Sequence, residues 1–228
     1  MGTTFELIEP LPLEPIPPLQ NGDRMTRPEF ERRYTAMPDL KKAELIEGRV
    51  YMPSPVHQES HGGPHADVIT WLGFYRMFTP GVRGGDNSSL RFDWHNEPQP
   101  DALLMLLPER GGQARVGASK FIEGAPELIV EVSASSMSYD MHEKLEAYER
   151  NGVCEYVVWR VFDREIDWFV LREGRYVRLA PGSDGVFRSE VFPGLWLDPV
   201  ALLAGDLARV FQVVQEGIAS PEHAAFVQ

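Results

Sequence analysis

The first residues to ask about are two carboxylates beside apolar runs. Glu131 interrupts the aliphatic stretch Leu128–Val132 within "GAPELIVEVSASS". Asp101 follows Pro100 at the mouth of a second apolar stretch, "DALLML". A carboxylate in a buried strand is costly to desolvate unless something pairs with it. Two acids at the ends of adjacent core strands are what a hard divalent cation needs. Mg²⁺ prefers oxygen ligands and takes few of them from the protein. The competing readings are ordinary: a strand-end glutamate turned to solvent, and a turn aspartate at a strand start.

A third residue bears on the same point. In "YDMHEKLEAYERNG", helical geometry of about 100° per residue puts Met141, Leu145 and Tyr148 on one stripe. Lys144 projects within roughly 60° of Met141, on the apolar side. A lysine there either snorkels outward or reaches the carboxylates of the sheet below. His61 and His65 lie four apart in "HGGPH". That spacing suits zinc on a helix, but Gly-Gly-Pro argues against a continuous helix and no third ligand stands out.

These residues need elements to hold them. Alternation places Glu127, Ile129, Glu131 and Ser133 on one strand face and Leu128, Val130 and Val132 on the other. The helix that follows is expected to be capped by Asp140, with Glu143 completing a capping-box pair, and to end at Asn151–Gly152. Strand, helix and strand from Leu128 through Trp159 read as a crossover between parallel strands. Upstream, "MTRPEFERRYTAM" reads as a helix with Thr26 as cap. "AELIEGRVYMPSP" reads as two short strands about Gly48. A second helix starts near Pro64 and buries Val68, Leu72 and Tyr75. Strands are also expected at Ser89–Asp93 and Asp101–Leu107. "CEYVVWRVF", "EIDWFVLREGRYVRLA" and "GVFRSEVF" suggest a β-meander with a tight turn at Glu173–Gly174. "DPVALLAGDLARVFQVVQEG" suggests one terminal helix. Residues 1–22 read as a proline-rich arm that lies along the domain or along a second subunit of a homodimer, or as a disordered extension. Residues 23–203 form the domain, and 204–228 a C-terminal helix and tail.

The chain has 34 acidic against 22 basic side chains, for a formal net charge of -12. That balance argues against a general nucleic-acid coat and against an anionic membrane surface. No stretch approaches the ~18–20 apolar residues of a membrane span. The N-terminus lacks the basic and apolar regions of a secretory signal. The one cysteine, Cys154, forms no internal disulfide and reads as a small core hydrophobe, so a cytoplasmic setting is expected.

"PD" at 100–101, "ELIVEVS" at 127–133 and the Asp, Lys, Tyr and "NGVCEY" positions from 140 to 156 resemble the Uma-two family of proposed restriction endonucleases, within the PD-(D/E)xK nuclease superfamily. "AELIEGRVYMPSP" and His61 share in the resemblance, which covers about Thr26 to Leu203. It implies a restriction-endonuclease-like α/β fold: a mixed central sheet flanked by helices, with an added β-meander. It implies metal-dependent hydrolysis of DNA phosphodiester bonds. Asp101 and Glu131 would hold one Mg²⁺ or Mn²⁺, with the Val132 carbonyl. Lys144 would orient the attacking water, Glu44 would complete the outer shell, and His61 would face the cleft. The superfamily's lysine is expected two residues after the glutamate, where this chain has Ser133, and Lys144 is the matching residue. Two other readings remain open: an inactive nucleic-acid-binding or interaction module on the same fold, and a Mg²⁺-dependent hydrolase of small phosphodiesters. Binding to DNA is expected to be weak and salt-sensitive.

Overall fold

The structure, a computed structural model, describes residues 15–52, 57–134 and 139–228. The side chains of residues 139–141 lie outside that description. Most of the proline-rich arm and the stripe position Met141 are therefore not described.

From the N-terminus, α1 (Arg27–Thr35) leads to the hairpin β1 (Glu44–Ile46) and β2 (Arg49–Tyr51). One π-helical turn, Gln58–Gly62, runs into α2 (Gly63–Met77). Six strands follow: β3 (Val82–Asp86), β4 (Leu90–Arg91), β5 (Ala102–Leu106), β6 (Arg115–Val116), β7 (Ile122–Glu123) and β8 (Leu128–Ser133). Then come α3 (Tyr139–Asn151), β9 (Glu155–Arg160), β10 (Glu165–Arg172), β11 (Arg175–Arg178), β12 (Phe187–Arg188) and β13 (Trp196–Leu197). Three helices close the chain: α4 (Pro199–Ala204), α5 (Leu207–Ile218) and α6 (Pro221–Phe226).

The central sheet has six strands in the order β11-β10-β9-β8-β5-β3. β8 and β9 are parallel, joined by the α3 crossover, and their neighbours run antiparallel. Because side chains alternate along a strand, the sheet has two distinct faces. On one, Val68, Trp71 and Leu72 of α2 and Val210 and Val214 of α5 pack on Ala102, Leu104, Leu128, Val130 and Val132. On the other, Leu103, Met105, Ile129 and Val158 pack with Tyr148 of α3 and Tyr156 of β9. A third, smaller core gathers Leu19, Phe30, Ala43, Leu45 and Val50 around the hairpin. The mixed sheet between helices is the expected fold class.

Several local expectations shift. Thr26 holds the N-cap position of α1, but its side chain makes no capping bond. α3 begins at Tyr139, so Asp140 lies inside its first turn and not before it. The strand expected over Ser89–Asp93 shrinks to β4. β3, "VRGGD", forms the sheet edge although its two glycines gave no strand signal. The meander is real through β9, β10 and β11, where Glu173 (φ 52°) and Gly174 (φ 77°) make the tight turn, as a primed hairpin turn requires. β12 leaves it and pairs with β13. The terminal helix breaks at Gly205 (φ 73°). Asp198 and Asp206 cap the two halves, accepting from Ala201 N at 3.0 Å and Arg209 N at 3.1 Å.

β9 is anchored at its start by a buried carboxylate. Glu155 accepts from Ser189 Oγ at 2.7 Å, Glu190 N at 2.6 Å and Val191 N at 3.3 Å. Burial pushes its pKa up to about 7, against those donors. A carboxyl whose folded pKa is raised binds more protons when folded, so its contribution to stability is full below about pH 4.5 and is lost as pH rises through 7. Glu155→Gln should therefore gain stability relative to the wild type between those pH values, read as a narrowing difference in thermal midpoint. Glu155→Ala should cost roughly 1–3 kcal/mol for each buried donor left unmatched. Parallel pH profiles of the wild type and the glutamine variant would contradict this account.

Candidate active site

The pairing of β5 with β8 sets Ala102 opposite Val130 and Leu103 opposite Ile129. One step further along that register, Asp101 comes opposite Glu131. The backbone ladder stops there, and the Asp101 side chain takes over: Oδ2 accepts from Val132 N at 2.8 Å. Asp101 is 2% exposed and Glu131 8%. Alternation puts Asp101 on the Leu103 face and Glu131 on the Ile129 face, which is the same side of the sheet, under α3.

α3 supplies the cation. Lys144 Nζ lies 2.9 Å from Glu131 Oε1 and 2.9 Å from Glu44 Oε1. One turn later, Tyr148 Oη donates to Glu131 Oε1 at 2.8 Å. Its ring packs edge-on against Phe92 and Tyr156. Both contacts fall on Oε1, and Oε2 of Glu131 has none among the described residues. Glu127, at the other end of the strand, is a useful contrast. Among the described residues it accepts only backbone N–H groups, from Leu106 at 2.7 Å and Gln113 at 2.9 Å.

Glu44 arrives on β1. The hairpin is stitched to the loop before β5 by Leu45 N to Glu97 O at 3.1 Å, Glu97 N to Leu45 O at 2.8 Å and Gly48 N to His95 O at 2.8 Å. Glu47 N adds a bond to Asn96 Oδ1 at 2.9 Å. Glu44 Oε1 also accepts from Gln99 N at 2.7 Å. Tyr51, at the end of β2, donates to Glu143 of α3, so Glu143 faces the hairpin.

The sequence reading missed two participants. Lys42 Nζ lies 3.4 Å from Asp101 Oδ1 and 3.2 Å from Asn87 Oδ1. Its place two residues before Glu44 was the available signal, since residues two apart in extended chain share a side. Tyr148 was read as packing alone, although its i+4 relation to Lys144 puts both on one helix face. His61 does face the carboxylates: Nε2 is 3.3 Å from Asp101 Oδ2. His65 Nε2 lies 2.9 Å from the Asp101 carbonyl oxygen and 3.2 Å from Asp86 Oδ1. The two imidazoles thus serve different carboxylates.

Three carboxylates and two ammonium groups share this region. Burial pushes the Glu131 carboxyl up, and the Asp101 and Glu44 charges add to that against Lys144. Burial works against the charge on Lys144, but Glu131 and Glu44 outweigh it and hold its pKa well above the usual range. Asp101 goes the other way. Burial opposes its charge, but the His61 hydrogen bond, the Lys42 charge and the Val132 N–H keep it below the usual carboxylate range. His61 is raised by its bond to Asp101.

The donors fit a hard cation. Two carboxylates on one face are oxygen ligands; Glu131 Oε2 is open among the described residues, whereas both oxygens of Asp101 already meet Lys42, His61 or the Val132 N–H. No group of three or more His, Cys, Asp or Glu side chains among the described residues is arranged to hold a metal. A site of two carboxylates matches Mg²⁺ or Mn²⁺, which keep several waters, better than zinc, which asks for three or four nitrogen or sulfur ligands.

Comparison with known proteins agrees with this architecture. Among solved structures, a protein from Anabaena variabilis ATCC 29413, described as "a putative nuclease belonging to DUF820", matches with a TM-score of 0.55 and 11% sequence identity. The match covers 80% of this chain and 97% of that one, and at that identity it is a likeness of fold. No curated protein sequence matches. No described helix is long and apolar enough to cross a membrane. The family model Uma2, described as "Putative restriction endonuclease", matches residues 27–201, which span the hairpin, the central sheet and every residue of the carboxylate–lysine cluster. The chain belongs to the Uma2 family.

Proposed function

We propose that the chain is a Mg²⁺- or Mn²⁺-dependent nuclease that hydrolyses DNA phosphodiester bonds at the Asp101–Glu131–Lys144 cluster. The observation that carries the reading is the Lys144 ammonium, brought from a helix to the carboxylate of a core strand beside Asp101. Asp101 and Glu131 would hold the cation, with the Val132 carbonyl and, through the outer shell, Glu44. A divalent cation there supplies positive charge to a phosphoryl oxygen and lowers the pKa of a coordinated water. Lys144 orients the attacking water and donates toward the charge that builds on the phosphoryl oxygens. Water oxygen bonds to phosphorus as the P–O bond to the departing sugar breaks. The water's proton leaves for solvent, and the departing oxygen takes one up. Tyr148 fixes Glu131, and His61 holds Asp101. A cytoplasmic setting, which the lone cysteine suits, and a homodimer belong to the same reading.

One observation favours the alternative, a nuclease-fold binding module. Asp101 already has Lys42, His61 and the Val132 N–H around it. A cluster matched in this way could persist without a metal. The third reading, hydrolysis of small phosphodiesters, uses the same groups.

Two measurements separate these readings. Millimolar Mg²⁺ or Mn²⁺ should raise the thermal midpoint by mass action, and Asp101→Asn should remove most of that rise. Equal shifts in both proteins would place the cation elsewhere. At low ionic strength with Mn²⁺, the wild type should cleave at least one of single-stranded, duplex or branched DNA, and Glu131→Ala should not. Lys144→Met, which keeps the apolar stem, should lose about 10²–10³-fold in rate while retaining the metal-induced midpoint shift. Intact DNA in every case, with a small phosphodiester hydrolysed only when Glu131 is present, would favour the third reading. Intact DNA and intact small substrate would favour the binding module.

A further inference from the structure

A second feature lies on the same face of the sheet as the carboxylates. β3 is the sheet edge, and beside it runs a cavity of about 440 Å³. Its floor includes Leu103 and Met105 of β5, and its walls include Gly85, Arg83, Lys120 and Phe121. The register pairs Gly85 with Leu103 and Arg83 with Met105, and Asp86 with Ala102. Asp101, Leu103 and Met105 alternate onto one face, so the cavity floor lies on the Asp101 side of the sheet, beginning at Leu103 two residues along the strand. At about 3.4 Å per residue, Leu103 and Met105 stand about 7–14 Å along the strand from Asp101. That reach suits the phosphates flanking one held at Asp101 and Glu131.

The lining differs from the rest of the molecule in charge. It contains two basic residues, Arg83 and Lys120, three serines and no acid, in a chain of net charge -12. Neither Arg83 nor Lys120 makes a side-chain hydrogen bond or an ion pair among the described residues. The second large cavity, by contrast, carries Glu190, Glu216 and Glu222 beside Arg188. The first cavity also depends on a glycine. A Cβ on Gly85 would stand 3.0 Å from Leu103 Cγ and 3.0 Å from Ser88 Oγ. The Phe121 wall is held by the Arg91 guanidinium, 4.1 Å from the ring centroid.

From this juxtaposition we infer that the β3-edge cavity is the subsite for the single DNA strand flanking the scissile phosphate, with Arg83 and Lys120 contacting its phosphates. The inference rests on the nuclease reading for the identity of its ligand. Its test is binding without cleavage, so the two can fail separately. A labelled single-stranded oligonucleotide is titrated with the full chain in EDTA at several salt concentrations. The wild type should bind at low salt. Arg83→Ala/Lys120→Ala should weaken binding at least tenfold and flatten the log K against log salt slope by roughly 1.4, about 0.7 for each phosphate contact on a single strand. Arg172→Ala/Arg175→Ala makes the same change in net charge at the opposite sheet edge and should alter binding less than twofold. Gly85→Val should weaken binding, at some cost in thermal midpoint because its Cβ presses on Leu103 and Ser88; if that variant does not fold, the two double variants decide. No wild-type binding at low salt, equal losses in the two double variants, or an unchanged slope for Arg83→Ala/Lys120→Ala would overturn the subsite. Such a result alongside cleavage by the wild type leaves the nuclease reading standing. The expected losses without any cleavage would uphold the subsite and make the chain a binding module.

Discussion

The Lys144 ammonium sits between Glu131 and Glu44 with 12% of its side chain exposed. A charge withdrawn from water to that degree carries a penalty of several kcal/mol unless matched. Its match comes from two places distant in sequence, a core strand and the N-terminal hairpin. The α3 crossover must therefore return over the sheet, and the hairpin must dock beside it, for the charge to be tolerable. The same face is packed by Leu103, Met105, Ile129, Tyr148 and Tyr156, and the charge match must be met within that packing. Conversely, Glu131 is tolerable in an aliphatic strand because the lysine and Tyr148 reach it there.

Asp101 solves a different problem with the same economy of parts. Pro100 offers no N–H, and the β5–β8 ladder ends beside it. The Val132 N–H would otherwise be left without a partner, and the aspartate side chain accepts it. One residue thus ends the β5–β8 ladder and presents a second oxygen to Lys42. Glu127 shows what a purely structural carboxylate looks like on the same strand, bonded by backbone donors at both oxygens. Glu131, bonded by side chains at one oxygen, is of another kind.

Sequence made the site's main residues legible through a conflict of type and place. A glutamate in "LIVEV" and a lysine on an apolar helix stripe both break the local rule, and two such breaks near one crossover point at each other. The parallel β8–α3–β9 unit was legible because hydrophobic period changes from 2 to 3.6 and back. Lys42 was not, since its neighbours in "LKKAEL" give it no period and its partner is 59 residues away. β3 was not, because "VRGGD" has strand shape only through its pairing with β5. The short β12–β13 pair was misassigned to the meander for a similar reason: its partner is chosen by tertiary packing under α5 and not by local pattern.

The hairpin carries both Glu44 and, just before it, Lys42. It packs on its own small core and is docked to the main sheet's approach loop by hydrogen bonds to residues 95–97. If the hairpin swings away, it withdraws one negative charge from Lys144 and one positive charge from Asp101 at once. The cluster left behind keeps the same net charge, with Glu131 still on Lys144 and Asp101 still on His61. Such a displacement would also break the ion pair of Glu47 with Arg150 and the bond from Tyr51 to Glu143, so the hairpin is held to α3 partly by exposed charge, and salt would loosen its seat.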